Sequence, residues 1–353
     1  MSPDPGRRPR IVFNALPLSG HGGGVSTYIR ELLGSLALCL EADLVAAVHP
    51  SGLAELPPGV TPMVKGESRG VRRAAASAVG FGPADLTHAL DVDLPFRRPG
   101  PMVSTVHDLA IFDTPWAFPT HRVKGERILF RHALRRADAV VAVSGFTADR
   151  LRELTGRDSV VVYSAPGPGM VPPPDHEVDR VRTRYGLPDR FVLHVGNIEP
   201  RKDIGTLAAA CRSAQVTLVL TGHSLWGHQA PAGAVEIGHV PLADLPGLYG
   251  AATVVGYASR YEGFGLPPIE AMACGAPVLS TPVPAVVEVA GDGAAIFQPG
   301  DTDGLTATLG LLLTDDARRD DLARRGRERV GALSWPRTAT ETADVYRSIG
   351  LPV

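Results

Sequence analysis

The sequence predicts an α/β fold of two domains, each a doubly wound parallel sheet with helices on its faces. Short apolar runs alternate with helical patterns along the chain, and this alternation is typical of parallel sheets. A segment rich in Pro and Gly, Pro166–Pro174, separates two series of this kind. The length of 353 residues is enough for two domains of ordinary size.

The first series opens with a strand and a glycine loop. Arg10–Asn14 is the first predicted strand and leads through Gly22, Gly23 and Gly24 into an amphipathic helix. Because such a loop often faces phosphate, it is a candidate to approach a donor phosphate or an acceptor, with a plain tight turn as the alternative. It does not match the dinucleotide fingerprint, since Val25 stands where the last glycine is needed.

Polar side chains follow several later strands of this half. Strands are predicted at Asp43–Val48, Asp85–His88, Met102–Val106, Ala139–Val143 and Val160–Tyr163. Ligands of doubly wound sheets bind at the carboxyl ends of the strands, where His107 and Asp108 follow one strand and Ser144 follows another as a predicted helix cap. A basic helical stretch, Gly70–Val79, is either a solvated face or faces an anionic acceptor or membrane.

The second series places two cations just before a helix. Its elements are predicted as strands at Phe191–Val195, Val216–Leu220, Val235–Ile237, Val254–Tyr257, Pro277–Leu279 and Ala294–Phe297, followed by helices at Asp303–Leu313, Asp316–Val330 and Trp335–Ser348. After Gly196 ends the first of these strands, Arg201 and Lys202 arrive at a helix start. Cations are unfavourable there, so the pair suggests a site that stabilises negative charge rather than two surface cations.

The segment Ser259–Gly275 opens as a loop and closes as a short helix. Two glycines flank a phenylalanine, two prolines suit the first helical turn and a glycine suits the position past the helix end: Gly263, Phe264, Gly265, Pro267, Pro268 and Gly275. The start of such a helix favours an anion. Glu262 and Glu270 flank it, which indicates a ligand with hydroxyls beside phosphates.

Glu262, seven further residues and Glu270, with G-F-G-L-P after the first glutamate, resemble the signature of a known family. It is that of the retaining nucleotide-sugar glycosyltransferases of the GT-B fold, the glycosyl transferases group 1, which include bacterial mannosyl- and glucosyltransferases. The resemblance implies two Rossmann-like domains facing across a cleft. It assigns 1–168 to acceptor binding, 169–334 to nucleotide-sugar binding and 335–353 to a helix that packs back on the first domain.

The resemblance also assigns roles to individual residues. The implied catalytic residues are His107, Glu262, Arg201 and Lys202. The implied donor-binding residues are Gly23, Gly24, Gly196, Arg201, Lys202, Glu262, Gly263, Phe264, Gly265, Leu266 and Glu270. In this assignment the cations hold the diphosphate, Glu262 the transferred sugar and Glu270 the ribose. For His107 a structural role is the alternative, and for Glu270 the alternative is a carboxylate favoured by the helix dipole.

The implied reaction moves a hexose from a GDP-mannose or UDP-hexose type of donor to an acceptor hydroxyl. Retention of anomeric configuration is implied, with neither metal nor cofactor, and the acceptor is a small molecule, a glycan or a lipid-linked glycan. A nucleotide-sugar epimerase on the same scaffold is the alternative. A silent binding module and a nicotinamide dehydrogenase are both disfavoured.

Composition narrows the partners and the location. A net charge of −2, with 44% hydrophobic and 20% charged residues, predicts no nucleic-acid partner and at most peripheral membrane contact. Three scattered cysteines, Cys39, Cys211 and Cys274, are typical of a reduced, cytoplasmic protein. The tripeptide from Asp91 to Asp93 matches a D-x-D metal motif, but three residues match often by chance, so no metal site is predicted.

Overall fold

The computed structural model describes residues 7–18, 23–67, 81–92, 94–95, 100–225 and 227–353. Within these ranges the chain forms two units, which are Met1–Ser164 with Leu333–Val353, and Ala165–Ala332. The chain passes from the first to the second just before the segment that begins at Pro166. No helix of the described residues is long and apolar enough to cross a bilayer.

The first unit contains a parallel sheet. Its described strands are β1 (Arg10–Asn14), β2 (Asp43–Val48), β3 (Val60–Val64), β4 (Leu86–Ala89), β5 (Met102–Val106), β6 (Ala139–Ala142) and β7 (Val160–Val161). Their order is β3-β2-β1-β4-β5-β6-β7, and every pair is parallel. The order reverses between β1 and β4, and in doubly wound sheets ligands bind at the carboxyl ends of the strands beside such a reversal.

The second unit repeats this topology. Its described strands are β8 (Phe191–Val195), β9 (Thr217–Thr221), β10 (Val235–Glu236), β11 (Val254–Tyr257), β12 (Val278–Ser280) and β13 (Ala294–Ile296). Their order is β10-β9-β8-β11-β12-β13, again all parallel. The reversal here lies between β8 and β11. The central strands are buried along almost their whole length, as expected where helices cover both faces.

Helices cover the sheets of both units. Those described are α1 (Gly24–Cys39), α2 (Ala110–Asp113), α3 (Thr120–Arg136), α4 (Gly145–Thr155), α5 (Asp175–Tyr185), α6 (Ile204–Ser213), α7 (Leu245–Ala251), α8 (Leu266–Ala273), α9 (Pro284–Ala290), α10 (Thr302–Thr314), α11 (Asp316–Val330) and α12 (Trp335–Ser348). The predicted cap at Ser144 is confirmed, because its hydroxyl accepts a hydrogen bond from Thr147 N. The predicted fold class, α/β with two doubly wound sheets, is confirmed.

Two differences from the predicted elements have physical causes. Strand β3 was not predicted: Pro62 lies within it and its exposure is mixed, features tolerated only because β3 is the edge strand of its sheet. The segment Leu245–Tyr249 contains Pro246 and Gly247, which are typical of a turn, but it begins helix α7 with the proline in the first helical turn. The basic stretch from Gly70 to Val79 lies outside the described residues.

Candidate active site

The loop after β8 brings two cations to the point where the sheet of the second unit reverses. Gly196 follows the strand with a φ of 143°, and a Cβ added to Gly222 would lie 2.2 Å from Gly196 O, so two backbones meet here closely. The turn Pro200–Lys202 follows and ends at Asp203, whose φ is 45°. Asp203 also pairs with Arg260 at 2.9 Å, which connects this loop to the loop after β11.

Glu199, Arg201, Lys202 and Glu262 form what we call the buried charge cluster. Glu262 Oε1 lies 2.5 Å from Lys202 Nζ and 2.9 Å from Arg201 Nη1. Arg201 Nε lies 2.8 Å from Glu199 Oε1, and Lys202 Nζ donates to the Tyr257 hydroxyl at 3.1 Å. Glu199, Lys202 and Glu262 are buried and the side chain of Arg201 is only 15% exposed, so neither cation is an ordinary surface residue.

The charge state of Glu262 is set by its neighbours. Burial alone would raise the pKa of this carboxyl, but Arg201 and then Lys202 outweigh it and lower the pKa to about 2. Burial lowers the pKa of Lys202, and Glu262 opposes that shift. The carboxylate is therefore ionised at neutral pH and holds both cations in place.

His194 and Tyr257 form a buried layer behind Lys202. Their rings stack at 6.1 Å between centroids, and His194 Nδ1 donates to Gly256 O at 3.1 Å. Burial, followed by the charge of Lys202, lowers the pKa of His194 to about 4, so the ring is neutral. Gly256 is required here, since an added Cβ would lie 2.8 Å from a methyl of Leu207.

The loop that contains Gly263 and Gly265 leads into helix α8, and few backbone N–H groups are available at the start of this helix. Gly265 has a φ of 89° and caps the helix, and Leu266 is its first residue. The next two positions are Pro267 and Pro268, which have no N–H. The amides at this helix start are therefore those of Gly265 and Leu266, the two predicted to contact a phosphate.

Helix α8 places Glu270 against a tyrosine from another helix. The Tyr249 hydroxyl, on α7, donates to Glu270 Oε2 at 3.2 Å, and both side chains are buried. Burial and then the charge of Glu270 raise the pKa of Tyr249 well above its usual range. A Cβ added to Gly167 would lie 3.4 Å from Glu270 Oε1. Glu270 lies beyond the first turn, so the helix dipole alone does not account for its position.

The remaining predicted site residues lie in the first unit. Gly23, with a φ of 114°, precedes Gly24, the first residue of α1; Gly22 lies outside the described residues. His107 Nε2 donates to Leu90 O at 2.8 Å, and its ring meets that of Tyr28 edge-on at 4.7 Å. The hydrogen bond leaves Nδ1 of His107 as its acceptor nitrogen.

The described residues offer no group of three His, Cys, Asp or Glu side chains placed to hold a metal ion. In the D-x-D tripeptide, the Asp91 carboxylate accepts from Val92 N at 2.8 Å. Asp93 lies outside the described residues. Cys39, Cys211 and Cys274 are free thiols, the last two of them buried.

Comparisons with known proteins place these features in a family. The family model described as glycosyl transferases group 1 matches residues 176–329, and that of glycosyltransferase family 4 matches residues 22–165. A D-inositol 3-phosphate glycosyltransferase from Nocardiopsis dassonvillei is 30% identical over 292 residues, which cover 72% of this chain and 67% of that protein. The chain belongs to the glycosyl transferases group 1.

Two further comparisons cover nearly the whole of this group 1 glycosyltransferase. O-antigen chain mannosyltransferase B of Escherichia coli is 28% identical over 381 residues, covering 96% of this chain and 99% of that protein. The crystal structure of Anabaena Alr3699/HepE in complex with UDP-glucose has a TM-score of 0.78 at 19% identity, covering 97% of this chain and 100% of that one. The second likeness shows that the fold is shared.

Several residues of the candidate active site are not predicted by the sequence. Tyr249 and Tyr257 each bond a predicted site residue, and Glu199 pairs with Arg201. The sequence offered a faint signal for His194, a polar residue inside an apolar strand run. Glu199 precedes the two cations by only a few residues, but nothing in the spacing distinguished it from a surface carboxylate.

Proposed function

We propose that this glycosyltransferase moves a hexose from a nucleotide-diphosphate sugar to an acceptor hydroxyl, with retention of anomeric configuration and without a metal ion or cofactor. The observation that carries the proposal is the contact of both Arg201 and Lys202 with Glu262 in one buried cluster. Two cationic side chains and a carboxylate are fixed at the end of a strand. The cations suit a diphosphate and the carboxylate suits the hydroxyls of a sugar, so the cluster fits a ligand that contains both.

The donor diphosphate would lie between the cations and the start of α8. Lys202 uses two of its three N–H bonds on Tyr257 and Glu262, which leaves one for a ligand oxygen. The amides of Gly265 and Leu266 add neutral donors. Since the cluster contains two acids and two bases, it has no net charge before the donor binds, so directed hydrogen bonds rather than excess charge would hold the phosphates.

The two glutamates would divide the sugars of the donor between them. Glu270, held by Tyr249, would accept hydrogen bonds from the ribose hydroxyls. Glu262, ionised because its pKa is about 2, would accept from hydroxyls of the hexose and offset positive charge that develops at the anomeric carbon. Relatives support a hexose: one is named a mannosyltransferase and another is solved with UDP-glucose.

In the proposed reaction the bond between the anomeric carbon and the diphosphate oxygen breaks. The acceptor oxygen forms a new bond to that carbon on the same face, and its proton passes to the departing phosphate oxygen. The products are a glycoside and a nucleoside diphosphate. Arg201 and Lys202 would stabilise the charge of the leaving group, and His107 would hydrogen-bond reactants through Nδ1.

A thermal-shift panel tests donor binding directly. GDP-mannose, UDP-glucose, UDP-N-acetylglucosamine and dTDP-glucose are added to the protein, and one of them should raise the melting temperature; a ligand at 100 times its Kd contributes about 2.7 kcal/mol. Lys202→Met should remove the shift, whereas Lys65→Met, a control in the first unit, should keep it. If no activated sugar stabilises the protein, the proposed function is wrong.

Product analysis tests the reaction itself. With the donor found above and a panel of glycan and lipid-linked acceptors, NMR of the product should show the anomeric configuration of the donor, and turnover should survive EDTA. An inverted product contradicts retention, and activity restored only by Mg²⁺ or Mn²⁺ contradicts metal independence. Conversion of the donor sugar without any acceptor would instead indicate the epimerase.

A further inference from the structure

His107 is held by two buried groups of the first unit. Its Nε2 donates to Leu90 O at 2.8 Å, and its ring lies 4.7 Å from the ring of Tyr28, with an angle of 87° between the two planes. Leu90 and Tyr28 are buried, whereas His107 itself is only partly buried. The hydrogen bond fixes one nitrogen of the imidazole, and the edge-to-face contact with Tyr28 fixes the plane of its ring.

Tyr28 is itself fixed through both its hydroxyl and its ring. The hydroxyl lies 3.3 Å from Thr105 Oγ1, and the ring meets that of Trp335 at 5.9 Å, with an angle of 69° between the planes. Thr105 is buried and also lies 2.9 Å from His88 Nε2. Tyr28 is therefore a rigid support, because a rotation of its side chain would break contacts with β5 and with helix α12.

The position of His107 just after β5 explains how one tyrosine reaches two partners. Thr105 belongs to β5, and His107 follows it two positions later. Side chains two positions apart along a strand point to the same face, so Thr105 and His107 both meet the tyrosine. Tyr28 lies on helix α1, one turn after Gly24, which belongs to the glycine loop predicted to bind the donor.

The hydroxyl of Tyr28 is not itself a group for proton transfer. Tyr28 is 1% exposed, and burial raises the pKa of its hydroxyl to about 12. The phenol therefore stays neutral around pH 7 and does not reach a ligand. Tyr28 can act on the reaction only through the groups that it contacts, and of these His107 is the one assigned to the reaction.

We propose that Tyr28 is a positioning residue that holds the imidazole of His107 in the orientation from which Nδ1 bonds the reactants. With Nε2 bonded to Leu90 O, the imidazole could still tilt about that bond and displace Nδ1, and the ring of Tyr28 prevents this tilt. A displacement of about 1 Å can lower turnover about 100-fold. The inference deepens the proposed function and rests on it, because the role of His107 is assigned there.

Turnover of Tyr28 variants tests the proposal. In Tyr28→Leu, which lacks the ring, kcat should fall about tenfold, with a change of less than about twofold in KM for the donor. Tyr28→Phe keeps the ring and should restore kcat to within about threefold of the parent. If Tyr28→Leu does not fold, Tyr28→Met takes its place, since methionine fills more of the vacated space. A Tyr28→Phe variant as slow as the variant without a ring would overturn the proposal.

Tyr346→Leu is the matched control. Tyr346 is also a fully buried tyrosine of the first unit, and its ring meets that of His88 at 5.6 Å and 85°. Its loss should lower the melting temperature about as much as Tyr28→Leu does, but kcat should stay within about twofold of the parent. Equal losses of kcat in the two leucine variants would show that Tyr28 only stabilises the unit.

A double-mutant cycle shows whether the effect passes through His107. In the background of His107→Ala, Tyr28→Leu should cause little further loss of kcat, because the residue that it positions is absent. If the two losses multiply instead, Tyr28 acts independently of His107 and the proposal is wrong.

NMR of the imidazole separates this inference from the proposed function, because it needs no substrate. In protein with isotope-labelled histidine, the signals of His107, assigned with His107→Ala, should show a single tautomer with the proton on Nε2. Tyr28→Leu should broaden these signals or divide them between two tautomers, and Tyr346→Leu should not. Unchanged signals in Tyr28→Leu would overturn the inference even if a donor sugar binds. Changed signals without a thermal shift by any donor sugar would contradict the proposed function alone.

Discussion

At the scale of single residues, Glu262 holds the buried charge cluster together, because both cations contact its Oε1. Its pKa is about 2 in the folded protein against an ordinary 4.5. A carboxyl whose pKa is lowered by folding contributes stability above its unfolded pKa, and that stability is lost as pH falls through the folded value. Here the loss falls between about pH 4.5 and pH 2.

Replacing Glu262 with Gln should therefore cost stability at neutral pH. We expect the free energy of unfolding to fall by roughly 3 kcal/mol at pH 7, since the buried Lys202 and the partly buried Arg201 lose their carboxylate. The difference from the parent should shrink below pH 4.5, because Glu262 of the parent takes up a proton in the unfolded chain before it does so in the folded protein. Urea melts of both proteins at several pH values measure this. A difference that stays constant down to pH 3 would contradict the assigned ionisation.

Tyr249 supports Glu270 through a single hydrogen bond. Tyr249→Phe keeps the ring and removes this bond, so the carboxylate should be less well oriented toward a ribose. We expect KM for the donor to rise about tenfold while kcat changes little. Tyr185→Phe is the matched control, because Tyr185 also donates to a carboxylate of the second unit, that of Asp244, at 2.7 Å. If both variants change KM equally, the role of Tyr249 is structural.

The residues of the site could be predicted from sequence more readily than their partners. The spacing of Glu262 and Glu270 and the position of Arg201 and Lys202 at a helix start made these four residues candidates for the site. The pattern does not report distance, so it did not show that both cations contact Glu262. Tyr249 comes from a different helix, and only the packing of α7 beside α8 reveals its bond to Glu270.

At the scale of elements, helix α8 is defined by a glycine at each end. Gly265 precedes its first residue and Gly275 follows its end, with φ values of 89° and 78°. The helix ends in a Schellman arrangement, in which Ala276 N donates to Ala271 O at 2.9 Å and Gly275 N to Met272 O at 3.0 Å. Both positions are strained for any residue with a side chain.

Alanine substitutions of Gly265 and Gly275 should both lower stability, but only one of them should prevent donor binding. Gly275→Ala should lower the free energy of unfolding by about 1 kcal/mol, because the nearest group to the new methyl, at 2.9 Å, is the mobile end of Arg327. Gly265→Ala should cost more, about 2–3 kcal/mol, since its methyl would lie 2.5 Å from Val286 Cγ2. Only Gly265→Ala should abolish the thermal shift with donor sugars. If Gly275→Ala also lost the thermal shift, the loop that contains Gly265 would have no specific role in donor binding.

Elements with strong local signals were the ones that sequence predicted well. Strands β1, β2, β5, β8 and β11 have their predicted bounds, because each is a mostly apolar run that lies between two other strands of its sheet. Strand β3 lacked this signal, since edge position rather than composition makes Pro62 acceptable. Helix α7 is not evident from the sequence, because Pro246 and Gly247 are typical of β-turns. In the structure both residues lie in the first turn of the helix.

At the scale of the whole molecule, the chain returns to its first unit in helix α12. The Tyr346 hydroxyl lies 2.6 Å from His88 Nδ1, and His88 Nε2 lies 2.9 Å from the Thr105 hydroxyl. Trp335 meets the ring of Tyr28 at 5.9 Å. No local pattern predicts these contacts, and that between His88 and Tyr346 joins residues 258 positions apart in the sequence. His88 is fully buried, and burial lowers its pKa to about 3.

Each unit thus contains a fully buried histidine whose pKa is strongly lowered, His88 in the first and His194 in the second, with pKa values of about 3 and about 4. In the unfolded chain each takes up a proton below about pH 6.5, whereas in the folded protein it does not. Stability is therefore full above pH 6.5 and falls as pH decreases toward the folded values. Between pH 6.5 and pH 4 the loss should be on the order of 3 kcal/mol for each histidine.

This loss is large against the 5–15 kcal/mol that stabilises a typical domain, so the two histidines should account for most of the loss of stability between pH 6.5 and pH 4.5, before the contribution of Glu262 begins to fall. His88→Asn and His194→Asn have no proton to take up. Each variant will be less stable than the parent at pH 7, because neighbouring groups lose a partner, but its stability should fall less between pH 7 and pH 4.5. Denaturant melts followed by circular dichroism measure the slopes. Parallel curves for parent and variants would show that neither histidine is the acid-sensitive group of its unit.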